Sequence, residues 1–372
     1  MNRPSVSDIV EIINEIAPAR FAEAWDNPGL QVGDGTSSVG RIMVALDACL
    51  ESIDAAIEKR CSLLLTHHPL IFKPLKRVSR QDAAGALIYR ALEGGLSIVA
   101  LHTNYDVAVG GVNDLLAERL GLSETVPLQV TGSDEYVKLG IFVPTGHEDK
   151  VLEALFRFSG AIGNYSDCSF RVTGTGTFRP LKGADPFIGK EGELESVEES
   201  RIELLIWRDE LDAAISAMKK VHPYEEPAFD IYRLYNKGKL HGLGRIGFLQ
   251  KEVTLQGFAE MVKDQLEATS LRCVGEKERK VKRVALCGGS GASLLREARF
   301  KGADVLVTGD VKYHDAREAE ALGIAIVDAG HFATERLMID GLAGALGQEL
   351  PRRGFSCDIL RFAGEKEPFF HV

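Results

Sequence analysis

The strongest constraint in this sequence is an unbroken run, Ser62-Leu-Leu-Leu-Thr66, that ends abruptly in His67-His68-Pro69. Apolar residues without alternation predict a strand buried on both faces, and such strands belong to parallel sheets flanked by helices. The neighbouring segments agree. Arg41–Leu46 and Ser97–Leu101 are further strand candidates, and Ser5–Ile16, Ser52–Lys59, Asp82–Glu93 and Val112–Leu120 have helical spacing. Strands alternating with helices predict an α/β layer.

The carboxy-terminal part repeats this grammar. Lys282–Cys287, Asp304–Val307 and Ile324–Val327 read as strands, and the turn Gly288-Gly-Ser-Gly291 opens a helix through Phe300. Tyr313–Ala321 and Thr334–Leu346 read as helices. Leu63–His68 parallels Val305–Asp310, and Ile98–Asp106 parallels Ala325–His331. The expected architecture is a pseudo-duplicated α/β domain, discontinuous over 1–130 and 237–372. Residues 131–236 follow a different pattern: strands Tyr136–Val143, Ser169–Arg179, Arg201–Trp207 and Ala228–Leu234, with helices Asp149–Phe158 and Glu210–Val221. A Gly-, Glu- and Lys-rich loop is expected over Pro180–Ser200. The order βαββαβ predicts a ferredoxin-like insert.

Composition narrows the function class. At 372 residues the chain is long enough for two or three domains. No apolar run approaches the roughly 18 residues needed to cross a bilayer. Met1–Arg20 mixes Asp8, Glu11 and Glu15 into its apolar residues, unlike a secretory or transit leader. A soluble, cytoplasmic protein is expected, with no membrane partner. A net charge of −10 disfavours nucleic acid as a partner, although a local basic groove is compatible with that total. The six scattered cysteines form no CxxC pair and are expected as small buried hydrophobes.

Three strand exits carry the chemistry. His67 and His68 follow one, His102 and Asp106 another, His331 and Glu335 a third. In open α/β sheets, ligands gather beyond the carboxyl ends of strands. Each cluster has a plain structural alternative: satisfied core histidines, an Asp106 turn cap, a Glu335 placed for the helix dipole. Adjacent imidazoles would have to be desolvated and hydrogen-bonded together, and the coincidence at three exits favours a metal site. Imidazole with carboxylate suits zinc, iron, manganese or nickel rather than calcium or magnesium. His67 and His68 can each face a different ion, Glu335 is the candidate bridge, and five ligands on two ions leave room for water. His102 is either a sixth ligand or a group orienting Asp106.

The segments Leu65-Thr-His-His-Pro-Leu70, His102-Thr-Asn-Tyr-Asp106 with Gly110-Gly-Val-Asn113, and Asp328-Ala-Gly-His-Phe-Ala-Thr-Glu335 resemble the Nif-three-like dinuclear-metal family, known also as GTP cyclohydrolase I type 2 homologues. Trp25-Asp-Asn-Pro-Gly-Leu30 and Thr308-Gly-Asp310 match it too. The resemblance implies metal-ligand roles for His67, His68, Asp106, His331 and Glu335, two divalent ions per chain, and a toroidal homohexamer. The insert, with His222-Pro-Tyr-Glu-Glu-Pro227, resembles the CutA-like and PII-like domain of longer members.

Two weaker features remain. Gly288–Gly291 could hold a phosphate on backbone N–H groups, but it lacks the P-loop Lys, and a plain tight turn is favoured. His314, with Asp310 and Lys312, could line the pocket as proton carriers or simply be a solvated helix start. The expected function is a metal-dependent hydrolase in which activated water attacks a purine nucleotide such as GTP, with His102 or His314 shuttling protons. The alternative is a non-enzymatic regulatory or scaffold protein whose insert senses a small molecule. Nucleic-acid processing inside a ring is a third reading, against which the acidic charge weighs.

Overall fold

The computed structural model describes residues 2–236 and 238–370. Lys237, where the second outer segment is expected to begin, lies outside the described residues. The chain forms two compact units, Met1–Thr131 with His241–Val372, and Gly132–Leu240. Among the described residues the strands in chain order are Gly29–Val32 (β1), Arg41–Ala45 (β2), Leu63–Thr66 (β3), Ser97–Ala100 (β4), Ser123–Ser133 (β5), Tyr136–Pro144 (β6), Ser169–Phe178 (β7), Glu195–Trp207 (β8), Phe229–Arg233 (β9), Leu240–Thr254 (β10), Arg272–Val274 (β11), Lys280–Leu286 (β12), Val305–Thr308 (β13), Ala325–Asp328 (β14) and Asp358–Arg361 (β15). Among the described residues the fold is mixed α/β with three sheets.

The first unit holds two sheets that share an ordering. One runs β1-β4-β3-β2-β15, the other β11-β14-β13-β12-β10-β5. In each, three parallel strands are followed by one edge strand running antiparallel: β2, β3 and β4 with β1, and β12, β13 and β14 with β11. Alternate residues of β2 enter different cores. Ile42 and Val44 pack with the helices Val6–Ile16 and Met338–Arg352, whereas Met43 and Ala45 pack on the opposite face with Ile53 and Ile88. Burial on both faces explains the continuous apolar runs. Helix Val6–Ile16 illustrates the local logic: Ser5 and Asp8 form a capping box, and Val6, Ile9, Ile12 and Ile13 face the core.

In the second unit the order βαββαβ appears as one antiparallel sheet, β7-β8-β6-β9. Its core lies between one sheet face and the helices Glu148–Phe156 and Leu211–Val221, through residues such as Leu139, Ile141, Ile202, Leu204 and Met218.

The structure corrects several expectations. The loop after Pro180 ends earlier than Ser200, because β8 begins at Glu195, pairing there with Phe178 of β7. The helix expected over Thr334–Leu346 is two helices, His331–Glu335 and Met338–Arg352. Between them the backbone tightens, and Ile339 N–H bonds Arg336 O in place of the carbonyl one residue earlier. Of the six cysteines only Cys61 and Cys287 are buried, and Cys273 is exposed. Strands β1, β5, β10, β11 and β15 and the helix Leu255–Leu266 have no counterpart in the sequence reading. Among the described residues no helix is long and apolar enough to cross a membrane.

Candidate metal centre

The carboxyl ends of β2, β3 and β4 meet those of β13 and β14 within the first unit. Beyond β3, the Thr66 hydroxyl donates to His68 O at 2.9 Å, and the His67 and His68 amides both donate to Leu46 O at 3.1 Å. The chain after β2 is thereby fixed against the chain after β3, and two consecutive imidazoles are aimed into the interior.

Each of four histidines has its Nδ1 tied to an acceptor. His67 Nδ1 bonds Leu101 O at 2.8 Å, His68 Nδ1 bonds Asp47 Oδ1 at 2.8 Å, His331 Nδ1 bonds Asp310 Oδ2 at 2.7 Å and His102 Nδ1 bonds Asp26 Oδ1 at 2.7 Å. A carbonyl oxygen only accepts, so His67 carries a hydrogen on Nδ1, and its neutral form presents a lone pair at Nε2. That lone pair faces Asp106 Oδ1 at 3.6 Å and Glu335 Oε1 at 3.8 Å. His67 is fully buried, and among the described residues neither its Nε2 nor Asp106 Oδ1 has a hydrogen-bond partner. Two buried acceptors facing one another across such a gap call for a cation between them.

Glu335 faces the histidines with both oxygens. Oε2 lies 2.9 Å from His68 Nε2 and 2.9 Å from His331 Nε2, while Oε1 is the oxygen facing His67. Donor atoms of His67, His68 and His102 lie within 4.8 Å of one another, as do those of His68, His331 and Glu335. This His/Glu cluster could hold a metal ion: imidazoles whose Nδ1 atoms are anchored turn their Nε2 atoms toward a shared carboxylate, and the Nε2 of His67 is left without a partner among the described residues, which is the chemistry of a ligand set.

The electrostatics describe the site without a metal. Burial works against the charge on His68, but the hydrogen bonds to Asp47 and Glu335 prevail and raise its pKa to about 10. His331 rises to about 9, chiefly through its hydrogen bond to Glu335. Burial opposes charge on His67 as well, yet Asp106 and Glu335 push its pKa up. Asp106 is raised to about 6 by burial. Burial opposes the Glu335 charge too, but the surrounding histidines hold its carboxyl well below the usual range. For Asp26, hydrogen bonds from His102 and Thr103 outweigh burial and lower it to about 2.

The supporting residues explain how distant segments converge. Asp106 lies in the helix Thr103–Val107, and the Asn113 amide donates to Asp106 O at 2.9 Å while accepting from Gly288 N at 2.9 Å. Arg245, buried, donates to the carbonyls of Val107 and Ala108 at 3.3 Å and pairs with Asp114. In the Gly288–Gly291 turn, Gly289 N donates to Thr334 Oγ1 and Gly291 N to Thr308 Oγ1. These N–H groups are used inside the protein, so the turn is a plain tight turn rather than a phosphate cradle.

All five expected ligand residues, and His102, therefore meet in one place. Glu335 is the last residue of its short helix rather than lying in a first turn, and the His331–Glu335 spacing spans that helix. His102 is oriented by Asp26 and reaches toward His67 and His68, their ring centroids 5.3 and 5.7 Å away, rather than orienting Asp106. His314 and Lys312 are exposed at the start of the helix Tyr313–Leu322 and do not line the adjoining cavity, whereas Asp310 does. The sequence reading missed Asp47, although it too follows a strand end. A cavity of about 730 Å³ opens onto His68 and His331, with Arg272, Arg336 and Lys366 in its wall.

The family model Duf34/NIF3 (NGG1p interacting factor 3) matches residues 4–368. A protein of Bacillus subtilis named GTP cyclohydrolase 1 type 2 homolog is 43% identical over 362 residues, covering 97% of each chain. One of the same name from Halalkalibacterium halodurans is 41% identical over 365 residues, covering 98% of each. Among solved structures, a Bacillus cereus protein related to NIF3 superposes with a TM-score of 0.90 at 42% identity, over 100% of both chains.

Proposed function

Given that the chain belongs to the Duf34/NIF3 family, we propose that His67, His68, Asp106, His331 and Glu335 hold two divalent metal ions, of the zinc, iron, manganese or nickel class, and that the protein is a metal-dependent hydrolase. The observation that carries this reading is the pair of buried, unpartnered acceptors, His67 Nε2 and Asp106 Oδ1, facing each other at 3.6 Å. The two oxygens of Glu335 point to different histidines, which supports its role as the bridge. Two such ions would supply Lewis acidity that brings water toward ionisation near neutral pH.

The protein's own groups do the rest. Asp47, Asp310 and the Leu101 carbonyl keep the imidazoles in the tautomer and orientation a ligand needs. Asp26 remains anionic and holds His102 at the edge of the cluster, where its other nitrogen can hold or move a proton. Arg272, Arg336 and Lys366 line the cavity, but Arg272 pairs with Asp328, Arg336 pairs with Glu267, and Asp47, Asp310 and Glu367 line it too, so the substrate class rests on the family and not on the charge of this wall. The relatives' name points to GTP, and a purine nucleotide is the substrate class we assign. The βαββαβ order and strand arrangement support reading the second unit as a ferredoxin-like insert of the CutA/PII type; the homohexamer is an expectation for light scattering.

The test is metal analysis with a nucleotide-turnover screen on the wild type and Glu335→Ala. Bound metal and formate release from GTP, both lost in the variant, are expected. A wild type that retains metal yet is inert toward every nucleotide would replace the hydrolase with a regulatory or scaffold role. A wild type that binds no metal overturns the whole reading.

A further inference from the structure

The second unit contains a pocket that the metal chemistry does not use. β6 and β8 alternate, so that Ile141, Val143, Ile202 and Leu204 enter the core beneath the helices while Phe142 and Glu199 face the other side of the sheet. There the segment after helix Leu211–Val221 and the loop between β7 and β8 close over the sheet to enclose about 410 Å³. The His222-Pro-Tyr-Glu-Glu-Pro227 motif builds one wall. His222 Nε2 donates to Phe142 O at 3.0 Å, and its Nδ1 accepts from Tyr224 N at 3.0 Å, so this histidine is a neutral brace; burial lowers its pKa accordingly. The brace presents Tyr224, whose hydroxyl donates to Glu199 Oε1 at 2.9 Å. Asp185 N donates to Glu225 Oε2 at 3.0 Å and ties the loop to the motif.

The contents of the pocket specify a ligand chemistry. Four aromatic rings line it, those of Phe142, Phe178, Phe187 and Tyr224, with Phe178 and Phe187 centred 5.8 and 6.3 Å from Tyr224. Glu199 is only 9% exposed, and its Oε2 accepts no hydrogen bond among the described residues. Gly176 makes room for this carboxylate, since a Cβ there would collide with Oε2. Glu225 and Glu226 also line the pocket, and among the described residues no Lys or Arg does. Arg201, the nearby cation over Phe142, is engaged by Glu203 at 3.0 Å and Tyr232. A carboxylate with a spare oxygen, set among aromatic rings and further acids, attracts a positive charge and repels a negative one.

We propose that this pocket is a binding site for a small organic cation, an ammonium group carried on an apolar or aromatic body. The charge pairs with Glu199 Oε2, and the body packs against Phe178, Phe187 and Tyr224. The site is independent of the metal centre, and its occupancy does not require any of the metal ligands.

Calorimetric titration of the full chain with phenethylammonium, against its neutral and anionic counterparts 2-phenylethanol and 3-phenylpropionate, tests this. Saturable binding of the cation at least about tenfold tighter than either counterpart is expected, from one charge-assisted contact plus cation–π attraction. Glu199→Gln keeps an acceptor for Tyr224 and should remove that preference, while Phe187→Ala, in an exposed part of the loop, should weaken the cation several-fold. Glu335→Ala, which disables the metal centre, should leave cation binding unchanged. Equal affinity for all three probes, no saturable binding, or a Glu199→Gln chain that still prefers the cation overturns the proposal.

Discussion

The Glu335 carboxylate occupies the space beside Gly289 that any side chain there would need, because a Cβ at position 289 would collide with Oε1. Gly289 also has φ +59, a left-handed conformation that other residues adopt at a cost. The turn after β12 and the short helix after β14 are thus fitted to each other at the centre of the site. Gly289→Ala should cost about 1–3 kcal/mol in stability. More specifically, it should displace Glu335 and lower bound metal below one ion per chain, as read by mass spectrometry of metals on folded protein. Full metal content in that variant would separate Glu335 from the ligand set.

Much of this was legible in the sequence, and the residues show why. His67, Asp106 and His331 follow apolar runs whose burial on both faces leaves a distinct signature, so the strand ends could be placed and the ligand types counted. Asp47 was open to the same rule, but the strand before it ends in Ala45-Leu46 with no second ligand type to flag it. β10 was illegible because Gly242, Gly244 and Gly247 break its apolar pattern; a side chain at Gly242 or Gly247 would strike the backbone of β5, a long-range constraint with no local trace. β15 is short, bears Asp358 and Arg361, and is stabilised by pairing with β2, more than three hundred residues away. The anchors on each Nδ1 are tertiary contacts, and no spacing encodes them.

Removal of metal should couple stability to pH in a defined direction. His68 and His331 are raised to about 10 and about 9 in the metal-free protein, against about 6.5 unfolded. The stability they contribute is complete below about pH 6.5 and is lost as pH rises through 9 to 10. Asp106, raised to about 6, acts in the same sense at lower pH, since charging it in its buried place disfavours the folded chain. Metal ions require these ligands deprotonated, so their stabilisation grows with pH. Thermal melts with and without chelator should therefore diverge between pH 6 and 9, and metal addition near pH 7 should release protons. Melting temperatures that keep a constant separation across that range would contradict the assignment.

The anchoring carboxylates should matter nearly as much as the ligands. Asp47→Asn and Asp310→Asn keep the shape but weaken the hold on His68 Nδ1 and His331 Nδ1. Metal affinity should fall by roughly 10–100-fold in each, from the usual effect of losing an outer partner. Both aspartates are half-exposed, so stability should change little. A competition titration with a chromophoric chelator reads the affinity directly, and unchanged affinity in both variants would show that the imidazoles are oriented by packing alone.

Arg245 tests how the Asp106 helix is held. Its guanidinium is buried and reaches Asp114, the carbonyls of Gly242 and Gly244 at 2.9 and 2.8 Å, and those of Val107 and Ala108 at the end of the helix that carries Asp106. Arg245→Met fits the volume but leaves Asp114 without its ion pair and several buried carbonyls without donors. Each buried carbonyl left without its donor costs about 1–3 kcal/mol, together more than the methionine regains by its apolar burial. Denaturant melts should show that loss. Lys in place of Arg keeps the charge without the planar fork and should recover only part of it, because one ammonium cannot serve carbonyls on both sides. If Arg245→Met were as stable as the wild type, the helix would be positioned by Asn113 and its apolar contacts, and metal retention in the same variant would report whether Asp106 had moved.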